Sequence, residues 1–460
     1  MSAATHTPPS SVDSSADVPA SFPADFLFGV ATSSFQIEGA THVDGRGESI
    51  WDRFCRQPGA ISDGSNGDIA CEHFDRLEQD LDLIASLGVN CYRFSLAWPR
   101  IQPTGRGEWN AAGLGFYERL VDGLLARGIK PVATLYHWDL PQALQDQQGG
   151  WAARDTVHRF VDYARHVQKH LGDRLYALST HNEPWCTATL GHDTGVHAPG
   201  LRDRALAAQV SHHLLLSHGL AMQAMRAEGG CKNLGIVLNM GPSVPATTHP
   251  ADIAAARLAD AKSRRWYSDP LFKGEYPAEA LADLGAAAPK IEAGDMAAMR
   301  APMDHLGINY YTRYVVNADG KPWSAREHGL PASDMDWEVY PEGLTDILCR
   351  MHADYPDMPP LYITENGGAF PDQTLVDGHV HDLDRLDYLR THIAATAEAR
   401  RRGVRVDGYM VWSLMDNFEW GFGYSKRFGI VHVDYETQAR TLKASALWYQ
   451  DLLRQWRAQG

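Results

Sequence analysis

The sequence predicts a single (β/α)8 TIM barrel of the α/β class with elaborated βα loops. Three observations carry that prediction. Eight short β-branched or apolar runs alternate with longer stretches of helical spacing. No run leads into GxGxxG, which disfavours a doubly wound open sheet. Four runs end in polar clusters, "YHWD" at 136–139, "HNEP" at 181–184, "NYYT" at 309–312 and "TENG" at 364–367. Reactive groups in such barrels sit at the carboxyl ends of strands.

The expected strands, in chain order, are "DFLFGVATS", "VNCYRFS", "IKPVATLYH", "LYALSTHN", "LGIVLN", "MDHLGINYY", "LYITEN" and "DGYMVWSLMD". Helical spacing fills 72–87, where Leu77, Leu81, Ile84 and Leu87 share a face, and then 113–127, 154–170, 204–228, 383–402 and 443–457. Gly88 in "SLGVN" and Gly128 in "ARGIK" fall just past helix ends, where a left-handed cap is wanted. The non-periodic segments near 241–250 and 312–340 read as βα-loop insertions rather than domain boundaries. Residues 1–20, rich in Ser, Pro and Ala, read as a disordered tail before a catalytic barrel over 21–460.

Bulk properties exclude several functions. The formal net charge of −15 disfavours nucleic-acid phosphate and anionic lipid as partners. No run approaches the roughly 20 apolar residues that cross a bilayer. The N-terminus has no basic residue and no apolar core of the kind a secretory signal needs. Six Cys, at 55, 71, 91, 186, 231 and 349, form no CxxC pair and read as reduced thiols, so a cytoplasmic location is expected. There is no HExxH and no Asp/Glu/His cluster with ligand spacing, so neither metal nor cofactor is expected. Thirteen Trp is a high count, and indole offers a flat face for a packed core or a sugar ring. Nothing in the sequence chooses between a monomer and a homo-oligomer.

Two strand ends carry a Glu. Pro184 is expected to hold Glu183 in an extended conformation, off a helical path. Asn366-Gly367 gives a sharp turn after Glu365. Both carboxylates would then face one opening. Glycoside hydrolysis needs such a pair, one group to protonate the leaving oxygen and one to meet the oxocarbenium charge. Taken alone, a Glu at a strand end serves equally well as a cap or a salt-bridge partner.

Longer segments now matter. These are "FLFGVATSSFQIEGA", "SIWDRF", "YRFSLAWPRIQPTG", "LYHWDLPQAL", "HNEPWC", "DPLFKGEYP", "LGINYYTRYVV", "YITENGGAFPD" and "VWSLMDNFEWGFGYSKRFGIVHVDY". In this order they resemble the glycoside hydrolase family 1 β-glycosidases, from about Phe22 to about Trp456. The resemblance implies a retaining β-glucosidase acting through a covalent glycosyl-enzyme. Its substrates would be small β-glucosides, with galactosides, fucosides and short oligosaccharides such as cellobiose alongside. Glu183 would be the acid/base and Glu365 the nucleophile, with carboxyl groups about 5–5.5 Å apart. Arg93, Tyr311 and Asn309 would support them. Gln36, His137, Asn182, Trp412, Glu419 and Trp420 would surround the sugar. Trp138, Trp185 and Trp337 would line the entrance.

Some positions separate subclasses. A branch of the family that takes 6-phosphorylated glycosides carries a Ser, Lys and Tyr set where this chain has Glu419, Lys426 and Phe428. An ionised Glu419 would repel phosphate by roughly 4 kcal/mol for unit charges 4 Å apart at an effective dielectric of 20. Neutral sugars are therefore expected. The competing readings are a 6-phospho-β-glycosidase, a synthesis-biased transglycosylase and a non-catalytic carbohydrate-binding barrel. His192 stands where the family more often has Tyr, and Gly368 where a larger residue is common. Both departures are expected at the entrance or on a loop.

Overall fold

Apolar β-branched runs that are buried on both faces need a sheet covered on both sides, either by helices on each face or by helices outside and closure within. This chain takes the second course. The computed structural model describes residues 19–459 except 373–375 and 377. Its barrel strands are β1 (Leu27–Ala31), β2 (Cys91–Ser95), β3 (Lys130–Tyr136), β4 (Ala177–Asn182), β5 (Leu234–Asn239), β6 (His305–Asn309), β7 (Leu361–Asn366) and β8 (Val406–Trp412). Each pairs in parallel with its sequence neighbour, and β1 pairs with β8 to close the barrel. Glu365 lies opposite Asn309 across the β6–β7 pair, after a register shift.

The covering helices are α1 (Leu77–Ser86), α2 (Ala111–Ala126), α3 (Arg154–Leu171), α4 (Arg204–Glu228), α5 (Pro250–Asp260), α6 (Pro341–Asp354), α7 (Leu383–Arg401) and α8 (Ala444–Arg457). Helix α1 stops at Leu87, and Gly88 follows at φ +74°, the left-handed exit its sequence predicts. Helix α4 starts under Asp203, whose carboxylate accepts from the Ala205 and Leu206 N–H groups. Helix α6 was not among the expected elements. It begins at Pro341, one residue past the segment read as an insertion.

Two apolar clusters hold these layers. The larger lies between strands and helices. The smaller fills the barrel with Leu27, Cys91, Val132, Ala177, Tyr362 and Met410, and it reaches Trp412 and Phe428 at the mouth. The expected insertions pair with each other. Ser243–Pro245 and Tyr314–Val316 form a small parallel sheet beyond the ends of β5 and β6. The first eighteen residues of the expected tail lie outside the described residues, and Pro19–Ser21 is a 3-10 turn. Among the described residues, no helix is long and apolar enough to cross a membrane.

Candidate active site

Strand β4 delivers Asn182 and then Glu183 at its end. Glu183 has φ +46°, so the expected extended conformation is wrong. Pro184 does bar the right-handed helical region, but the chain escapes through the left-handed one. The Cys186 N–H then donates to the Glu183 carbonyl at 2.9 Å and closes a tight turn. Strand β7 delivers Glu365. Past it, a Cβ on Gly367 would lie 1.7 Å from the Trp412 carbonyl oxygen, so only glycine lets β7 leave beside β8.

The two carboxyls meet different partners. Glu365 Oε1 accepts from Arg93 Nη1 at 2.6 Å, and Oε2 accepts from the Tyr311 hydroxyl at 2.6 Å. Burial and the Glu365 charge push the Tyr311 phenol far up, so it remains a donor. Glu183 Oε1 accepts from Asn309 Nδ2 at 2.6 Å, and its Oε2 accepts from the Cys186 thiol at 2.9 Å. Burial first, then the nearby Glu365 charge, push the Glu183 carboxyl up to about 7. The Cys186 and Asn309 bonds and the Arg93 charge pull the other way without cancelling this. One group is held by a guanidinium and a phenol, the other by an amide and a thiol. This is the division of labour that acid–base chemistry at neutral pH requires.

A single network joins them. Arg93 Nη2 donates to Asn182 Oδ1 at 2.6 Å, and Asn309 Nδ2 donates to the same oxygen at 3.0 Å. The Thr364 hydroxyl donates to Asn309 Oδ1 at 2.7 Å, which fixes the direction of that amide. Asn182 Nδ2 is then left to donate to His137 Nε2 at 3.1 Å. Burial and the Arg93 charge hold His137 far below its usual range, so the ring is neutral and carries its proton on Nδ1. That buried Nδ1 has no partner among the described residues. It is free to donate to a ligand hydroxyl.

Aromatic rings frame this polar floor. His137 lies near-parallel to both Trp412 and Trp420, with centroids 5.9 Å away in each case. Trp138 and Trp420 have positive φ, like Glu183, so three non-glycine residues at the site hold a sparsely populated conformation. Gln36 is wholly buried. Its amide donates to the Phe418 carbonyl at 2.8 Å and to Asn417 Oδ1 at 3.0 Å, and approaches Glu419 Oε2 at 3.5 Å. Burial and the charges of Glu365 and Glu183 push the Glu419 carboxyl up to about 8.

The chain matches known proteins along nearly its whole length. The model of Glycosyl hydrolase family 1 matches residues 18–457. The chain belongs to glycosyl hydrolase family 1. A curated relative, "Beta-glucosidase" from Agrobacterium sp., is 49% identical over 440 residues, covering 94% of this chain and 95% of that one. "Bifunctional beta-D-glucosidase/beta-D-fucosidase" from Bifidobacterium breve is 44% identical, covering 93% and 97%. Among solved structures, virulence factor SghA with its substrate analog salicin superposes with a TM-score of 0.92 at 46% identity, covering 97% and 99%. The Thermotoga maritima β-glucosidase with glucoimidazole gives 0.91 at 43%, covering 95% and 99%.

Within this family-1 barrel, some expected residues lie elsewhere than at the entrance. Trp138 is only 8% exposed, and its indole N–H donates to the Asn182 carbonyl at 2.9 Å. It backs Trp420 from behind. His192 is buried, with Nδ1 on the Thr187 carbonyl, and burial pulls it down to about 4. Gly368 packs under the Phe370 ring in the loop after β7. Trp337 is half-buried over Tyr311 and Phe428, with centroids 5.3 and 6.2 Å away. Trp185 is half-buried and lines a cavity of about 720 Å³ with Asn239, Met240 and Tyr314.

The Coulomb argument against phosphate also needs correction. A Glu419 carboxyl pushed up to about 8 is largely neutral near pH 7, so it repels less than a unit charge would. A stronger objection lies at the buried Phe428 ring beside Tyr311, which offers no hydroxyl to a phosphate, while the Lys426 ammonium donates to the Asp334 carbonyl at 2.9 Å and keeps its charge. Cys186 was missed as a partner of Glu183. The signal was its position three residues on, one turn after a strand end.

Proposed function

We propose that the chain is a retaining β-glucosidase in which Glu365 is the nucleophile and Glu183 the acid/base. The observation that carries this is the unbroken hydrogen-bonded path Glu365–Arg93–Asn182–Asn309–Glu183, with a cation at one end and a raised carboxyl at the other. Glu365 attacks the anomeric carbon while Glu183 gives its proton to the departing glycosidic oxygen. The ester that forms removes the Glu365 charge, the second contributor to the raised Glu183 carboxyl. Glu183 can then ionise, take a proton from water, and let the hydroxide equivalent release the sugar.

In this reading Asn182 and the His137 Nδ1 proton meet sugar hydroxyls, with Gln36 and Glu419 beyond them. Trp412 and Trp420 offer their faces to ring C–H groups. Trp138 and Phe428 back the wall, and Trp185 and Trp337 receive the leaving group. The substrates are unphosphorylated β-glucosides, including cellobiose, so a place in cellulose breakdown is part of the proposal. The Bifidobacterium relative's two activities support fucosides as well. Six free cysteines support a reducing, cytoplasmic setting for one catalytic barrel over 21–460.

The test is trapping with 2,4-dinitrophenyl 2-deoxy-2-fluoro-β-D-glucoside followed by peptide mapping. The mass increment is expected on the peptide containing Glu365. An increment elsewhere, or none with full activity retained, defeats the assignment. A panel of 4-nitrophenyl β-glucoside, galactoside, fucoside and 6-phosphoglucoside then ranks the sugars, with the phosphorylated compound expected last.

A further inference from the structure

We propose that Cys186 is a positioning residue for Glu183, its thiol donating to Oε2 when the carboxyl is ionised and accepting from it when the carboxyl is protonated. The proposal rests on the reading of Glu183 as the acid/base. Geometry makes the pairing obligatory. Pro184 and the left-handed Glu183 backbone form a turn whose fourth residue is Cys186. That residue clasps Glu183 twice, N–H to carbonyl at 2.9 Å and Sγ to Oε2 at 2.9 Å.

The two oxygens of Glu183 therefore differ. Oε1 faces an Asn309 N–H whose direction is fixed by Thr364, so it always meets a donor. Oε2 faces a thiol that can turn. A thiol is a weak donor and a weak acceptor, so it opposes neither protonation state strongly. Burial, and then the Glu183 charge, drive the Cys186 thiol well above its usual range, so it stays an S–H group. It is also 5% exposed, which removes it from reagents in solution. The other charged and titratable groups near this pair are Glu365 from β7, Arg93 from β2, Glu419 after β8 and the phenols of Tyr267, Tyr311 and Tyr314. None of them touches Oε2.

The experiment is the pH dependence of kcat/KM for cellobiose between pH 5 and 9 in wild type, Cys186→Ser and Cys186→Ala. A hydroxyl donates more strongly to a carboxylate, so the serine variant moves the basic limb down by about half a unit to one unit. Alanine removes the donor and moves it up by about half a unit. Should alanine leave a cavity that unfolds the protein, Cys186→Val serves as the donor-free variant of similar volume, with the same upward shift. Repacking alone cannot displace the limb in opposite directions. Limbs that coincide with wild type, or that all move the same way, overturn the proposal. Glu183→Gln is run beside them. If it hydrolyses cellobiose with an unaltered basic limb, the acid/base assignment has failed and the thiol has nothing to position.

Discussion

The floor of the site and its mouth are built by opposite rules. On the floor Arg93, Asn182, Asn309, His137 and Gln36 are each at most 2% exposed; the first four are joined by side-chain hydrogen bonds, and Gln36 is held by the Phe418 carbonyl. At the mouth Trp185 and Trp337 are half-buried, and Trp337 meets Tyr311 and Phe428 through its ring. Polar groups in a dry site must be satisfied and so become fixed. Stacked rings at a rim carry no such demand. Under the proposed function, the difference means that this barrel would define the reacting sugar rigidly and leave the departing group loosely specified.

Substitutions should respect that division, and the largest effects belong to the floor. Glu365→Gly is expected to lower glucoside hydrolysis by about 10^4-fold or more. Azide or formate should restore part of it with inverted product, read by nitrophenol release and by NMR of the anomer. Glu183→Gln is expected to cost about 10^3-fold in kcat/KM on cellobiose but about 10-fold or less in kcat/KM on a dinitrophenyl glucoside, whose leaving group needs no proton, while kcat on that substrate falls because the base for the second step is gone. Wild-type turnover of cellobiose should fall as pH rises through about 7, because the proton that burial and Glu365 retain on Glu183 is lost there.

Arg93→Met comes next. It leaves a buried carboxylate with a phenol as its only donor, and kcat/KM is expected to drop about 10^2-fold. Breaking a buried pair also destabilises the fold by about 3–5 kcal/mol, visible in denaturant titration. Trp185→Ala, at the mouth, should be mildest. It is expected to raise KM for cellobiose about two- to tenfold with kcat little changed, since one aromatic contact is worth about 0.5–1.5 kcal/mol. A drop in kcat as large as that of Arg93→Met would erase the distinction between the two regions.

The sequence made the floor readable and the mouth not. Glu183 and Glu365 end apolar runs, where a carboxylate has no packing reason to be, and the strand period aims them at one opening. Asn309 on β6 lies beside Glu365 on β7, so register alone brings these two near, whereas Arg93 reaches Glu365 across the barrel from β2. The backbone at Glu183 was misread because a rule about proline forbids one region without choosing among the others. Helix α6 went unnoticed since Pro341 opens it directly after a long irregular segment. The depth of Trp138, which the entrance reading misses, has a physical reason. Depth along an irregular loop has no period, and no pattern of residues reports it.

Closure of the barrel by β1 against β8 joins residues 27–31 to residues 406–412. Gln36 follows the first of these strands, Trp412 ends the last and Glu419 lies in the loop after it, so the proposed sugar pocket draws on both ends of the chain. A polypeptide still emerging from the ribosome holds both Glu183 and Glu365 before the last wall of that proposed pocket exists. Activity must therefore switch on late and all at once, and products of premature termination or C-terminal clipping inside residue 412 should be inert even where most of the barrel has formed.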